Sequence, residues 1–391
     1  VSVTHPQGFS AAGTAGGLKS SGKKDVALVV NEGPQFVGVG VFTSNRVYAA
    51  PVAWSRQVVA DGRVDAVILN SGGANAATGP EGFADTHTTA EHVAEALQQT
   101  GRDISAGDVV VCSTGLIGTR LPMDKLLGGV DAAVAALAND GGADAAEAIM
   151  TTDTVAKTAV VEGGDWSIGG MAKGAGMLAP GMATMLCVIT TDAQIDAAQA
   201  RLALTEAVRV TLNRLDSDGC MSTNDTVVLL ANGASGASPE PSTFQAALTE
   251  LCHDLAQQLL RDAEGADHDI AITVQGASTE TAAEAVARAV ARSNLFKAAI
   301  FGRDPNWGRI IAAAGTVPED IAPFDAALID VWVNDVHVCK AAGVGEDRSL
   351  VDLTERDVNI VIDLHAGDAT ATVWTNDLTH DYVHENSAYS S

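Results

Sequence analysis

The stretch "KGAGMLAPGMATMLCVITTD", Lys173 to Asp192, joins a segment of small residues, glycine and proline to the apolar run "MLCVITT". The first part reads as a turn and the second has the length of a buried strand. Two readings of the junction compete. In one it is a loop before a core strand. In the other the hydroxyl of Thr184 attacks the peptide bond upstream of it. A threonine hydroxyl is a weak nucleophile until a base takes its proton, and a free α-amino group on the same residue, with a pKa of about 7.7–8.0, is such a base. Only cleavage between Ala183 and Thr184 frees that amine. Ala183 offers little steric obstruction, and the upstream glycines and Pro180 permit a strained turn. On spacing alone the loop-then-strand reading is favoured.

The 391 residues exceed a typical single domain, which sets an expectation of two domains or two fused layers. Apolar residues make up 47% of the chain and aromatic ones only 4%, so the interior is expected to rest on close backbone packing. A net charge of −26 argues against binding a nucleic-acid backbone, which needs a basic face. No run approaches the roughly 20 apolar residues of a membrane span. The start "VSVTHPQGFSAAGTAGG" lacks the apolar core of a signal peptide. A cytoplasmic protein is the expectation. The five cysteines are widely spaced with no CxxC, which reads as buried small hydrophobes and not as disulfides or a zinc knuckle.

Strand-like and helix-like segments alternate throughout, the pattern of a mixed α/β protein. Strands are predicted at 25–30, 37–43, 65–72 and 108–115, with four more in the C-terminal third. Helices are predicted at 83–100, 193–215, 241–265 and 279–293, each with apolar residues three and four apart.

Most motif-like features reduce to scaffolding. "NSGGANAATG" (70–79) matches neither GxGxxG nor GxxxxGK[ST] and reads as a strand-to-helix turn. His380 and His384 are four apart without a clear third ligand, and His87 with Glu91 reads as a solvated pair, so no metal is expected. No GxSxG elbow is present. "DPNWGR" (304–309) reads as a turn, and "DSDGCMSTNDT" (216–226) is a polar loop without EF-hand spacing. "CSTGLIG" (112–118) ends an apolar strand, where the amides of Thr114 and Gly115 could face a developing negative charge.

"MAKGAGMLAPGMATMLCVITTDA" resembles the self-processing segment of the ornithine acetyltransferases, also called glutamate N-acetyltransferases or the ArgJ family. "ILNSGGANAATGPEGFADT", "VCSTGLIGTRLPMDKL", "AIMTTDT", "MSTNDTVVLLANG", "DAEGA", "FKAAIFGRDPNWGRIIAAAG" and "DLTHDYVHENSAYSS" are similar to further blocks of that family, in family order and over nearly the whole chain. The resemblance implies a layered α/β sandwich of the DmpA/ArgJ-like type, self-cleaved between Ala183 and Thr184. The products would be an α chain of residues 1–183 and a β chain of 184–391, with two copies of each assembling. Thr184 would be the nucleophile and acetyl carrier, and Thr114 with Gly115 the oxyanion hole. Thr151, Lys173, Thr184, Glu264, Asn386 and Ser391 would contact substrate.

The implied activity moves acetyl from N-acetylornithine through Thr184 to glutamate, in arginine biosynthesis and without a cofactor. A substrate carboxylate suits Lys173 and the ornithine ammonium suits Glu264. The alternatives are a bifunctional form that also uses acetyl-CoA and a related threonine-dependent amidase or aminopeptidase. A binding protein, with Thr184 still joined to Ala183, is a third possibility.

Overall fold

A computed structural model describes residues 2–179 and 185–388. The described residues fall into two compact units, one within Val1–Asn213 and Cys220–Asp262, the other within Arg214–Gly219 and Ala263–Ser390.

The first unit contains β1 (Phe9–Thr14), β2 (Val26–Asn31), β3 (Val37–Phe42), α1 (Ala50–Val58), β4 (Ala66–Ser71) and α2 (Gly79–Gln98). It continues with β5 (Val109–Thr114), α3 (Met123–Ala135), α4 (Gly142–Ala148), β6 (Lys157–Glu162) and β7 (Ser167–Lys173). β8 (Leu186–Thr191), α5 (Ala197–Val210), β9 (Thr226–Ala231) and α6 (Pro241–Arg261) complete it. One sheet has the order β1-β2-β4-β5, the other β3-β9-β8-β7-β6.

The interior strands are buried along their whole length because both faces of each sheet are covered. Val67, Leu69, Val110 and Cys112 point to a core shared with Met171, Leu186, Val188, Val228 and Leu230 of the second sheet. Their neighbours Ala66, Ile68, Val109 and Val111 point the other way, onto Val93 and Leu97 of α2 and Leu126 and Val130 of α3. On the outer face of the second sheet, α6 packs on β6 and β7, and α5 on β3 and β9. The unit is therefore a helix–sheet–sheet–helix sandwich, the layered architecture expected. "MLCVITT" is the central strand β8, antiparallel to β7 and parallel to β9.

The second unit holds β10 (Asp269–Ala277), α7 (Glu280–Ala291), α8 (Asn294–Phe301), α9 (Trp307–Ala314), β11 (Asp330–Val333) and β12 (Val336–Lys340). It ends with β13 (Gly343–Val344), β14 (Asp357–Asp363), β15 (Ala369–Asn376) and α10 (His380–Ala388). Its sheet runs β13-β12-β11-β14-β10-β15. Ile270, Ile272 and Val274 of β10 bury against Val286 and Val290 of α7 and Phe296 of α8. The "DPNWGR" turn starts α9, with the Asn306 side chain accepting from the Arg309 amide as its N-cap.

Cys112, Cys187, Cys252 and Cys339 are free thiols. These four are buried and Cys220 is exposed. Burial pushes the Cys112 thiol up to about 12, which makes it a packing residue. The helix predicted over 193–215 is shorter in the structure. Asp196 caps it by accepting from the Gln199 amide, and it ends at Val210.

Small residues set the spacing between α4 and β1. A Cβ on Gly13 would stand 1.9 Å from the carbonyl oxygen of Asp144, and one on Gly141 would stand 1.9 Å from that of Ala11. Gly13→Ala must therefore separate backbone from backbone. It is expected to cost about 1–3 kcal/mol, the range for overpacking, as a lowered urea midpoint. An unchanged midpoint would contradict the close approach.

Candidate active site

Strand register assembles one edge of the second sheet. β7 sets Lys173 opposite Leu186, and β9 sets Thr226 opposite the same residue. Met185, which follows Thr184 in the chain, is fastened at this edge. Its amide donates to Asp225 Oδ1 at 3.0 Å, and its carbonyl accepts from the Thr226 amide at 3.0 Å. The expected cleavage site at Ala183 and Thr184, and the expected contact Ser391, lie outside the described residues.

β5 of the first sheet delivers Thr114. Gly115 follows at φ 132°, and a Cβ there would lie 2.5 Å from the Gly73 nitrogen, so only glycine fits. The turn 72–79 is tied to the same place, with the Gly73 amide donating to the Thr114 carbonyl at 3.0 Å. Asn224 Nδ2 donates to the carbonyls of Ala74 at 2.6 Å and Ser113 at 2.8 Å. The turn has positive φ at Gly72, Asn75, Ala77 and Gly79, in keeping with its reading as a strand-to-helix connection.

Lys173 is the hub, with only 1% of its surface exposed. Its Nζ donates to Thr151 Oγ1 at 2.7 Å and reaches Thr114 Oγ1 at 3.4 Å. Three positions singled out from the sequence are thus brought together. Sequence reasoning missed the group that compensates this buried ammonium, Asp153, whose Oδ2 lies 3.9 Å from Lys173 Nζ. Asp153 also accepts from Lys157 Nζ at 2.7 Å and from the amides of Thr151 at 2.9 Å and Gly174 at 2.6 Å. Burial alone would raise its pKa. The ammoniums of Lys173 and Lys157 outweigh that and hold the carboxyl well below the usual range. Lys157, itself fully buried, donates also to Asp262 Oδ2 at 2.6 Å. No spacing signal marks Asp153 within "AIMTTDT", because the Lys173 ammonium it compensates stands at the far end of another strand, β7.

Lys19 adds a third cation to this neighbourhood. Burial lowers its pKa first, and the ammonium of Lys173 pushes in the same direction against the pull of Asp25. Asp25 clamps the Lys19 loop by accepting from the amides of Gly16, Gly17, Leu18 and Lys19 at 2.6–3.1 Å.

Glu264 and Asn386 belong to the second unit. Glu264 lines a cavity of about 60 Å³ there with Asp218, Lys297 and Tyr382. Thr379 Oγ1 donates to the Gly265 carbonyl and accepts from the Tyr382 amide, which ties the turn after Glu264 to α10. Asn386 sits on α10, exposed, donating to the Tyr382 carbonyl at 3.0 Å. His87 and Glu91 form the exposed 3.3 Å pair expected of them.

The ArgJ family profile matches residues 10–391. The chain belongs to the ArgJ family. It is 61% identical over 391 residues to the arginine biosynthesis bifunctional protein ArgJ of Streptomyces coelicolor, covering all of both chains. It is 59% identical to the protein of that name from Thermobifida fusca, again over all of both. Among solved structures it is similar to the ornithine acetyltransferase of Mycobacterium tuberculosis complexed with ornithine. That match has 61% identity over 46% of this chain and 94% of the other, with a TM-score of 0.45.

Replacing Asp153 by Asn leaves two buried ammoniums short of a counter-charge, a loss of about 3–5 kcal/mol at pH 7 for a broken buried pair. A depressed native pKa stabilises above the unfolded value of about 3.9, and that stability fades as pH falls below it toward the native value. Urea unfolding of both proteins from pH 7 to pH 3 is expected to show the gap narrowing below about pH 4. A gap that stays constant would show that Asp153 is not held ionised by the lysines.

Proposed function

We propose that this chain is a glutamate N-acetyltransferase of arginine biosynthesis that moves acetyl from N-acetylornithine to glutamate through Thr184. Membership of the ArgJ family, with the names its relatives carry, supports acyl transfer in that pathway. The single geometric observation that carries the site is the buried cluster of Lys173, Thr114 and Thr151 at the sheet edge where Met185 is fastened.

In this reading the Thr184 α-amine, released by cleavage after Ala183, takes the proton of the Thr184 hydroxyl. The oxygen bonds to the acetyl carbonyl carbon, and the amides of Thr114 and Gly115 receive the developing negative charge. The C–N bond of N-acetylornithine then breaks and its nitrogen takes the proton. Glutamate attacks the acetyl ester in turn, so one site serves both amino acids. Lys173 suits a substrate carboxylate and Glu264 the ornithine ammonium, with Asn386 and Ser391 completing the substrate contacts. No helix among the described residues is long and apolar enough to cross a membrane. A cytoplasmic enzyme of two α and two β fragments is the assembly that accompanies this proposal.

Thr184→Ala is expected to stay a single folded chain with no transferase activity. The wild type is expected to give fragments of 1–183 and 184–391 by mass spectrometry, with label from radioactive acetylornithine on the second fragment alone. Double-reciprocal plots for donor and acceptor are expected to be parallel. Full turnover by the alanine variant, or label on the first fragment, would remove Thr184 from the mechanism.

The word bifunctional in the names of the relatives favours a second activity at the same site. In that form acetyl-CoA also supplies the acetyl group. Glutamate and acetyl-CoA, with no acetylornithine present, are expected to yield N-acetylglutamate. No product after many equivalents of enzyme would restrict the chain to the acetylornithine reaction.

A further inference from the structure

Donor and acceptor of the proposed reaction are alike at Cα and opposite at the tip of the side chain. Ornithine ends in an ammonium and glutamate in a carboxylate, and both tips stand the same number of bonds from Cα. A pocket of one sign would reject one of them, because a charge buried beside its like is costly. A site that takes both in turn needs both signs around one point.

The cavity beside Glu264 in the second unit offers both. At about 60 Å³ it has room for the tip of a side chain and not for a whole amino acid. The carboxylates of Glu264 and Asp218 line it, and so does the amine of Lys297. Lys297, inside the block "FKAAIFGRDPNWGRIIAAAG", carries no role in the sequence reading. It stands on α8 with only 6% of its surface exposed, and its Nζ donates to the Ser217 carbonyl. A lysine is seldom buried on packing grounds alone.

The wall that holds this amine is fixed. Ser217 Oγ donates to Asn376 Oδ1 at 2.7 Å, and Asn376 Nδ2 donates to Asp269 Oδ1 at 2.9 Å and to the His268 carbonyl at 3.2 Å. The Asp216 amide donates to the Trp374 carbonyl at 2.8 Å, and Asp216 Oδ2 accepts from Arg288 at 3.1 Å and Arg292 at 2.8 Å. Asp377, a third acid of the lining, belongs to the scaffold: it accepts the amides of Asp267 at 3.0 Å and His268 at 2.9 Å and lies 2.7 Å from His268 Nδ1. The Ser217 carbonyl cannot shift without breaking such bonds, so Lys297 keeps its place when the cavity fills.

We propose that this cavity receives the side-chain tip of either amino acid, with Lys297 recognising the γ-carboxylate of the acceptor glutamate and Glu264 the ammonium of the donor. The assignment rests on the transferase reading above and adds to it a residue that determines acceptor specificity. A charge-assisted hydrogen bond from Lys297 is what distinguishes glutamate from an amino acid of the same length with a neutral tip.

The test is the acceptor preference of the mature enzyme, measured with acetylornithine as donor as the ratio of kcat/KM for glutamate to that for glutamine. The wild type is expected to prefer glutamate by about 10–100-fold, the worth of one hydrogen bond to a charged group. Lys297→Met keeps much of the side chain's length and removes its charge. It is expected to bring the two acceptors within about threefold of each other, and to lower kcat/KM for glutamate more than for acetylornithine. A merely structural role would lower both acceptors together and leave their ratio. An active Lys297→Met enzyme with the wild-type ratio would therefore overturn the assignment and leave the transferase reading standing. A wild type that takes glutamine as readily as glutamate would overturn it as well, whether or not the methionine variant folds. A wild type that moves no acetyl from acetylornithine to any acceptor would overturn the transferase reading and this assignment together.

Discussion

Two lysines with almost no access to water, Lys157 and Lys173, share the carboxylate of Asp153, and the candidate site depends on that arrangement. An isolated ammonium could not remain charged at such depth. Asp153 can serve both because it also gathers two backbone amides and because Asp262 takes part of the load from Lys157. The outcome is a fixed amine at the end of β7 whose donors reach Thr151 and Thr114. A lysine on a mobile surface loop would carry the same charge without the fixed position.

The sandwich makes this possible by bringing strand ends from two sheets to one place. β5 ends at Thr114 with Gly115 following, β7 ends in Lys173, and β8 and β9 begin opposite Lys173 and beside one another. The tie across the group is Asn224, which donates to the backbone of β5 at Ser113 and of the 72–79 turn at Ala74. Close packing of small residues keeps the layers near enough for such bonds, as the Gly13–Asp144 and Gly115–Gly73 approaches show.

The proposed cleavage fragments and the compact units divide the chain differently. Segment 184–391 supplies β8, α5, β9 and α6 to the first unit, including the central strand of its second sheet. Fragments that share a sheet have their backbone hydrogen bonds and apolar faces satisfied only in each other's company. Breaking one peptide bond beside β8 therefore leaves the fragments joined by a core, and this is the physical basis for a cut chain that keeps its site.

The order of elements was legible in the sequence because each strand and helix writes its own period locally. The runs at 25–30, 65–72, 108–115 and 185–191 are strands, and the long periodic stretches at 83–100 and 241–265 are helices. Thr114, Gly115, Thr151 and Lys173 were legible through resemblance to a family, and the structure gathers the side chains of three of them. Asp153 and Asp225 were not. A carboxylate acts here through what surrounds it, and its surroundings include residues distant in the chain, as in the bond between Met185 and Asp225, 40 positions apart. Sequence by itself determined which residues could carry a proton, a charge or an acetyl group. Only the tertiary structure decided which were buried and which were compensated, because desolvation and hydrogen-bond satisfaction are properties of packed neighbours and not of chain position.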